Sequence, residues 1–398
     1  MKQKVFTFFL VLVASASTIY ASDTAVDGIW YDFDNSTKTA SVTYRGSYYD
    51  SYKEYSGSVT IPETVTYNGT TYSVTSIGDH AFRACKSLTS VTIPNSVTSI
   101  EQFAFNGCSS LTSVTIPNSV TSIGLLAFSG CSSLTSVIIN SDAILSKAYS
   151  SSSNMSTIFG KQVTEYIIGG SVTSIGQSAF SSCSSLTSVT IGGSVTRIGL
   201  AAFSGCSSLT SVTIGESVTN IGNYAFEWCS SLTSVTIPNS VIIIGSEVFG
   251  YCYSLTSVTI GNSLIYIGGG AFSDCSSLTS ITIPNSVTSI EQLAFSRCSS
   301  LTSVIIGNSV ASIGNSAFSG CSSLNSITSK ATTPPTLGGD VFKNIDNTIP
   351  VYVPCGSISA YKSDARWNYF TNIQSSDQFT ITIQANKASQ GTVSIKKK

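Results

Sequence analysis

Hydrophobic residues recur along most of the chain in one fixed arrangement. In the segment LTSVTIP (88–94), Val91 and Ile93 are separated by the polar Thr92, an alternation typical of a short strand that buries one face. β-Branched residues, which are enriched in strands, dominate this run. Proline follows at position 94, and glycine stands at the same place in other copies; both residues are typical of strand ends. The pattern therefore predicts many short strands, each followed by a turn.

The arrangement returns at a constant interval. The string LTSVTIPNSVTSI begins at Leu88 and again at Leu111, and the full unit is L-x-x-V-x-I-P/G-x-S-V-x-x-I-G-x-x-A-F-x-x-C-S-S. The interval from Cys131 to Cys183 is two such units and six further residues. A fixed period of roughly 20–50 residues is typical of stacked units, because one unit cannot bury its apolar face alone. The sequence therefore predicts a solenoid whose strands pair in parallel about 4.8 Å apart.

These repeats resemble a known family. The motifs L-x-x-V-x-I-P, V-x-x-I and A-F-x-x-C, found together in residues 88–108 and repeated in phase, are similar to the repeats of BspA-like leucine-rich repeat surface proteins of the Bacteroides and treponeme type. The resemblance covers roughly residues 57–373. It implies a leucine-rich repeat solenoid with parallel β-strands on the concave face and turns and short helical or extended segments on the convex face. It also implies a role in adhesion to, or binding of, host proteins at a cell surface.

Residues 1–22 have the layout of a secretory signal peptide. Two lysines precede an apolar run, and small residues follow it, which is the order of such a signal. The apolar run, Val5 to Val13, is too short to span a bilayer. We therefore predict a protein that is secreted or held at the cell surface after cleavage, with no membrane span.

Both ends of the repeat array have the character of caps, which a solenoid needs to shield its terminal core. The N-terminal stretch alternates apolar and polar residues and contains Asn68-Gly69, a strong hairpin signal. The predicted organisation is a signal peptide (1–22), an N-terminal β cap (23–77), a repeat solenoid (78–330) with an irregular insertion (140–162), a C-terminal cap (331–374) and the start of a small β module or a tail (375–398).

Composition argues against nucleic acids and anionic membranes as partners. Charged residues are 10% of the chain, and 19 Lys and Arg against 20 Asp and Glu leave a net charge of −1. A nucleic-acid or anionic-membrane surface would need a basic patch. We therefore predict no nucleic-acid partner.

Candidate catalytic chemistry is sparse. The one histidine, His80, lies in a repeat position that elsewhere holds Phe103, Leu126 or Tyr224, so a tolerant surface position is the better interpretation. Cysteines that occur once per repeat unit, without C-x-x-C or histidine partners, lack the spacing of a zinc site. We therefore predict no enzymatic activity, no cofactor and no metal.

The repeat cysteines have two interpretations. Secretion favours disulfides, whereas identical positions in stacked coils carry parallel Cβ vectors about 4.8 Å apart, a poor geometry for a disulfide. We favour a ladder of packed, reduced thiols. Its members are Cys85, Cys108, Cys131, Cys183, Cys206, Cys229, Cys252, Cys275, Cys298 and Cys321.

Binding residues are expected where the repeats differ from one another. The position before each repeat cysteine is small in most coils, as at Gly107 and Gly205, but is large in four consecutive coils. Exposed aromatic residues beside an arginine are common binding anchors, although packing of large side chains against one another explains the same pattern. The candidate ligand-binding residues are Trp228, Tyr251, Asp274 and Arg297, which we call the variable column, with Tyr224, Tyr253 and Tyr266 beside it.

Two further surfaces are candidates. The serine-rich insertion at 140–162 is expected to project as a loop, and loops on rigid scaffolds often carry function. Decay of one repeat explains the insertion equally well. A row of strand threonines offers a broad polar face; its members are Thr92, Thr115, Thr190, Thr213, Thr236, Thr259 and Thr282.

The predicted function is a secreted or cell-surface binding or adhesion protein. Its repeat solenoid would contact a protein or glycan ligand outside the cell, on a host or a neighbouring cell. The alternative is a structural spacer or scaffold on the cell surface that binds no ligand. The sequence leaves both open.

Overall fold

A computed structural model describes residues 24–45, 55–150, 153–376, 379–384 and 392–397 of the protein. The predicted signal peptide (1–22) lies outside the described residues. Within them, the chain winds into a parallel-strand solenoid of about 13 turns, mostly strand with little helix. The predicted repeat solenoid is confirmed.

The N-terminal residues form six strands, of which three make an antiparallel group. The turn Asn68-Gly69, with φ of +48° and +76°, joins two of them in the hairpin that the sequence predicts. The strands are β1 Ala25–Val26, β2 Ile29–Asp34, β3 Thr39–Thr43, β4 Gly57–Thr60, β5 Thr64–Tyr67 and β6 Thr70–Ile77. Strands β1, β2 and β3 pair antiparallel, and β5 pairs antiparallel with β6.

Each regular coil then carries one strand of three to five residues followed by one of two residues. In chain order the elements are β7 Leu88–Thr92, β8 Ser99–Ile100, β9 Ser113–Ile116, β10 Ser122–Ile123, β11 Ser136–Ile139, α1 Asp142–Leu145, α2 Met155–Phe159, β12 Glu165–Ile168, β13 Ser174–Ile175, β14 Ser188–Ile191, β15 Arg197–Ile198, β16 Ser211–Thr213, β17 Asn220–Ile221, β18 Ser234–Ile237, β19 Ile243–Ile244, β20 Ser257–Ile260, β21 Tyr266–Ile267, β22 Ser280–Thr282, β23 Ser289–Ile290, β24 Ser303–Ile306, β25 Ser312–Ile313, β26 Ser326–Ser329 and β27 Thr336–Leu337.

The C-terminal residues close the stack. They comprise β28 Val351–Val353, a 3₁₀ turn at Cys355–Ser357, α3 Ile358–Ser363, a second 3₁₀ turn at Trp367–Tyr369, β29 Ile373–Ser375, β30 Phe379–Gln384 and β31 Thr392–Lys397. Strands β28 and β29 continue the parallel pairing of β26, and β30 pairs antiparallel with β31. The buried Trp367 packs on Phe342, the phenylalanine of the preceding turn.

The strands stack in two parallel rows. In the first row, Ser113 of β9 pairs with Ser136 of β11, one period later. In the second row, Ile198 of β15 pairs with Ile221 of β17. The cap strand β4 pairs in parallel with β7, and the end of β6 pairs with β8. Residues assigned to the N-terminal cap therefore contribute the first strands of both rows, and the boundary at residue 77 stays a prediction.

The segment A-F-x-x-C forms consecutive turns in every regular coil. The N–H of Phe82 donates to the oxygen of Ala104 in the next coil at 2.7 Å, while the N–H of Cys85 donates to the oxygen of Phe82 at 3.1 Å. Backbone N–H groups along this segment therefore donate in turn to the next coil and to their own coil. We call the series of hydrogen bonds between coils the turn ladder. Two residues per coil, such as Phe103 (φ +55°) and Gly107 (φ +77°), adopt left-handed backbone. This conformation is incompatible with a continuous right-handed helix.

The core is built from stacked copies of the same residues. Phe105 lies between Phe82 and Phe128, with ring centroids 4.8 and 5.0 Å away. In the irregular coil the series of rings continues through Phe159 and Tyr166. Each full burial of such a side chain stabilises the fold by about 1.5–3 kcal/mol. Like residues therefore pack on like residues along the stack.

The described residues of the insertion form a coil of the stack. Strands β11 and β12 pair directly, with Ser136 opposite Glu165, so this coil is longer than the regular ones but stays in the stack. Helices α1 and α2 bury Leu145, Met155 and Phe159 in the common core. Helix α1 takes the place of the second-row strand and contacts β10 and β13, so the row is interrupted there, while Phe159 of α2 takes the place of the repeat phenylalanine. The described parts of the insertion join the core through their apolar side chains, while residues 151–152 of the serine run lie outside the described residues, so the projecting loop stays a prediction there.

The ten repeat cysteines are buried and make no disulfide, while Cys355 is exposed. The thiol of Cys108 donates to the oxygen of Phe82 at 3.0 Å, and that of Cys131 donates to the oxygen of Phe105 at 3.2 Å. Burial raises the pKa of Cys252 to about 12. Because the thiolate is the reactive form, buried thiols with raised pKa values are expected to be inert in the folded protein.

We expect a thiol reagent to modify one cysteine, Cys355, in the native protein and most of the eleven after denaturation without reduction. The physical reason is that parallel stacked side chains do not converge as a disulfide requires. Mass spectrometry of the labelled protein gives both counts. Two or fewer reactive thiols in the denatured protein would show that the ladder is oxidised.

Candidate functional site

The variable column lies on the turn ladder, in the second of the two left-handed positions of each coil. The φ angles of Trp228, Tyr251, Asp274 and Arg297 lie between +58° and +60°. A side chain in this conformation costs roughly 1–2 kcal/mol. Other coils avoid this cost with glycine, at Gly107, Gly130, Gly205 and Gly320. Local backbone stability therefore does not explain the four large side chains.

The aromatic members form one exposed cluster. The rings of Trp228 and Tyr251 are parallel within 4° and 4.1 Å apart, and Tyr253 meets them edge-on at 6.0 and 6.3 Å. Trp228 is 44% exposed. Its other neighbour along the column, Gly205, has no side chain to cover the second face of the indole. The stack thus ends in an open aromatic face.

The polar members of the column form a weak ion pair. A nitrogen of Arg297 lies 3.8 Å from a carboxylate oxygen of Asp274, and the arginine side chain is 74% exposed. Exposed pairs of this kind contribute about 0–1 kcal/mol. The pair leaves the guanidinium accessible to solvent.

Two acidic residues that the sequence analysis did not single out lie beside the column. Burial, and secondly repulsion by Glu247, raise the pKa of Glu227, although hydrogen bonds from Ser204 and Trp228 oppose the shift. Partial burial, and then the charges of Asp274, Glu247 and Glu227, raise the pKa of Tyr251. Tyr251 therefore lies near three carboxylates, one of them in the column and two beside it.

Tyr224 and Tyr251 line a groove of about 250 Å³. Glu247 lies in this groove, and the backbone of Gly269 and Gly270 forms part of its surface. A Cβ atom at Gly270 would come within 2.9 Å of Cγ of Glu247, so a side chain there would displace the glutamate. We call this groove, lined by Tyr224, Glu247 and Tyr251 and bordered by Glu227 and Trp228, the aromatic–acidic groove.

Tyr266 is not part of this cluster. It lies in β21 of the second row, paired with Ile243 and Ser289. Ile242, Ile243 and Ile265 are exposed near it in the same row. The signal for this apolar patch was present in the sequence, since threonine fills the positions of Ile242 and Ile265 in most other coils. The predicted site residues thus fall into two groups on different faces of the coil.

The described residues offer little for catalysis or metal binding. His80 stacks on Phe103 at 5.0 Å in the first left-handed position of its coil. Within the described ranges, no three His, Cys, Asp or Glu side chains group in a way that could hold a metal. The helices described there are all too short or too polar to cross a membrane. The candidate functional groups among the described residues are therefore the exposed side chains of the coils.

The chain matches the family model described as BspA type leucine rich repeat region over residues 58–167, 159–268 and 242–365. A leucine rich cell surface protein from Faecalibacterium prausnitzii is 30% identical, over 77% of this chain and 94% of that one, with a TM-score of 0.33. A leucine-rich repeat protein from Bacteroides ovatus is 27% identical over the same shares, with a TM-score of 0.36. The T. pallidum leucine rich repeat protein is 33% identical, over 42% of this chain and 80% of that one, with a TM-score of 0.40. None of the curated proteins matches the chain.

Proposed function

The chain belongs to the BspA-type leucine-rich repeat family, and on this premise we propose that it is a secreted or cell-surface protein that binds a macromolecule outside the cell. The contact is the variable column together with Tyr224 and Tyr253. Residues 1–22 would direct export. The protein would act by binding, with no catalytic step of its own.

One observation carries this proposal. Four consecutive coils place large side chains in a left-handed position where four other coils have glycine, and Trp228 in that series is exposed to solvent over nearly half of its surface. The core does not use these side chains. The backbone N–H of this position donates the same inter-coil hydrogen bond whether the residue is glycine or a large one. The N–H of Gly205 donates to the oxygen of Glu227 at 2.8 Å, and that of Trp228 donates to the oxygen of Gly250 at 2.9 Å. Recognition of a partner explains side chains that the fold does not need.

Replacing Trp228 and Tyr251 together by glycine is expected to leave the protein folded and to weaken binding by about 1–3 kcal/mol, roughly ten- to hundredfold. Glycine adopts the left-handed conformation without strain, which offsets the loss of ring stacking. The measurement is the dissociation constant of the mature protein for whichever of a panel of extracellular-matrix proteins and glycans binds it.

The matched control is the double variant Phe103→Gly and Leu126→Gly. These residues are also apolar, left-handed and partly exposed, but they lie outside the variable column. If the column variant folds and binds as tightly as the parent, the site is elsewhere, and the exposed threonine row becomes the next candidate. If no member of the panel binds the parent protein, the spacer alternative is favoured.

A further inference from the structure

The charge around the aromatic–acidic groove is unusual for this chain. Thirteen charged residues lie from Lys86 to Ser329, and three of the acidic ones, Glu227, Glu247 and Asp274, act on the single residue Tyr251. Arg297 is the one positive charge paired with this set among the described residues. The local charge is therefore about −2 on a solenoid that is otherwise nearly neutral.

One glycine makes room for the side chain of Glu247. The position of Gly250 holds serine, asparagine or a charged residue in the other regular coils, and a Cβ there would make ordinary contact with Cβ of Glu247 at 3.4 Å, whereas a Cβ at Gly270 would lie only 2.9 Å from its Cγ. Gly270 is likewise the only glycine in its position among the ten regular coils. Both departures from the repeat occur beside Glu247. The glycine at position 270 leaves open the space that Glu247 occupies in the groove.

The charged form of Glu227 is disfavoured in the folded protein, chiefly by burial and secondly by Glu247. Because the pKa of Glu227 is raised, the folded state holds the proton more tightly than the unfolded state does. Its contribution to stability therefore falls as pH rises through that pKa. The exposed Arg297 is engaged with Asp274 rather than with the glutamates. A positive charge supplied from outside would offset the repulsion between Glu227 and Glu247.

The aromatic groups suit the same kind of ligand. A guanidinium or ammonium group binds over the face of tryptophan or tyrosine, and the attraction grows when the cation is partly removed from water. Tyr224 and Tyr251 line the groove, and Trp228 stacks on the ring of Tyr251 and holds it in place. A neutral sugar could also stack on these rings, but it would leave the carboxylate repulsion unrelieved. The charges therefore decide between the two ligand classes.

We propose that the aromatic–acidic groove binds the cationic side chains of a basic partner protein, with arginine or lysine placed against the rings of Tyr224 and Tyr251 and beside the carboxylate of Glu247, while Glu227 adds negative charge at the border of the groove. This inference rests on the proposed function and specifies the class of ligand that its binding surface would recognise. The partner would present a basic, exposed segment. Binding would weaken at high salt, because charges near the surface are screened.

The test uses three synthetic peptides of equal length, in which the variable positions are all arginine, all glutamine or all glutamate. Their affinity for the mature protein is measured by fluorescence anisotropy. The parent protein is expected to bind the arginine peptide at least about tenfold more tightly than the other two. The double variant Glu227→Gln and Glu247→Gln is expected to lose about tenfold in affinity for it. Tyr251→Gly is expected to lose a similar factor, because Tyr251 lines the groove.

A charge-matched control is the double variant Glu63→Gln and Glu216→Gln, two exposed acids outside the groove. It should bind the arginine peptide as the parent does. Equal losses in both double variants would show a general charge effect and overturn the inference. So would failure of the arginine peptide to bind, or binding that ignores Glu227 and Glu247.

The outcomes separate the two proposals. If a ligand from the extracellular panel binds through Trp228 and Tyr251 but the arginine peptide neither binds nor competes, the cationic partner is wrong and the binding surface stands. If binding of every ligand is indifferent to Trp228 and Tyr251, the binding surface itself is wrong.

Discussion

Replacing Phe105 by alanine is expected to lower the free energy of unfolding by about 3–5 kcal/mol. The side chain is fully buried, and its ring is stacked between Phe82 and Phe128 at 4.8 and 5.0 Å. Removing the ring leaves a cavity between the rings of the two neighbouring coils and removes both stacking contacts. Urea denaturation, followed by far-ultraviolet circular dichroism, measures the loss.

The same coil supplies the control. Phe103 lies two residues earlier, in a left-handed position, and its partly exposed ring stacks on His80. Phe103→Ala is expected to cost less than about 1 kcal/mol, because little apolar surface returns to water. Similar losses at the two positions would contradict the stacked core. Hydrogen exchange adds a spatial check, because a cavity in a solenoid weakens its own coil and the neighbouring coils first.

Replacing Trp367 by alanine is the second large effect, again about 3–5 kcal/mol. This indole is fully buried against Phe342 and Tyr361, and its N–H donates to the oxygen of Pro335 at 2.9 Å. The variant would open the terminal core to water, because the indole covers the ring of Phe342. We therefore expect a lower melting temperature together with association of the unfolded or end-opened protein, measured by calorimetry and light scattering.

Trp228→Ala is the matched control, since it removes the same side chain from an exposed site. It should change the melting temperature little. A stable and monomeric Trp367→Ala variant would show that the C-terminal residues are not needed to close the stack.

The repeat period is the part of the fold that the sequence predicts best. The constant interval between copies fixes the register of both strand rows, because each residue must pair with its own copy, as Ser113 does with Ser136. The hairpin at Asn68-Gly69 was also predictable, since few residue pairs accept two positive φ angles. Buried positions follow from the alternation within each strand, such as Val114 and Ile116 in β9.

The left-handed positions of the turn ladder were harder to predict. One of them holds Phe103, Leu126 or Tyr224, residues that rarely adopt positive φ, so local preference gives no signal. The conformation is imposed by hydrogen bonds between coils. The fold of residues 140–162 was hidden for a related reason, since only Phe159 keeps the repeat pattern there while new helices bury the other apolar side chains.

The site was predicted in part. Trp228, Tyr251 and Tyr253 meet because they share or adjoin one repeat position in neighbouring coils. Glu227 and Glu247 occupy different repeat positions, so a comparison of equivalent positions in the repeats could not predict that they are neighbours. Tyr266 was grouped with the column from sequence because it is large and near in number, although it faces another row.

The register of the stack has a consequence for the length of the protein. Each residue of a regular coil faces its counterpart one period later, so the upper surface of any such coil matches the lower surface of any other. Loss or duplication of one whole coil would join surfaces that already fit, and the reach of the molecule would change in steps of about 4.8 Å. The aromatic–acidic groove spans only a few adjacent coils, so its distance from either end can be altered while its own geometry is kept. Regular coils thus act as interchangeable spacers around a fixed set of contacts.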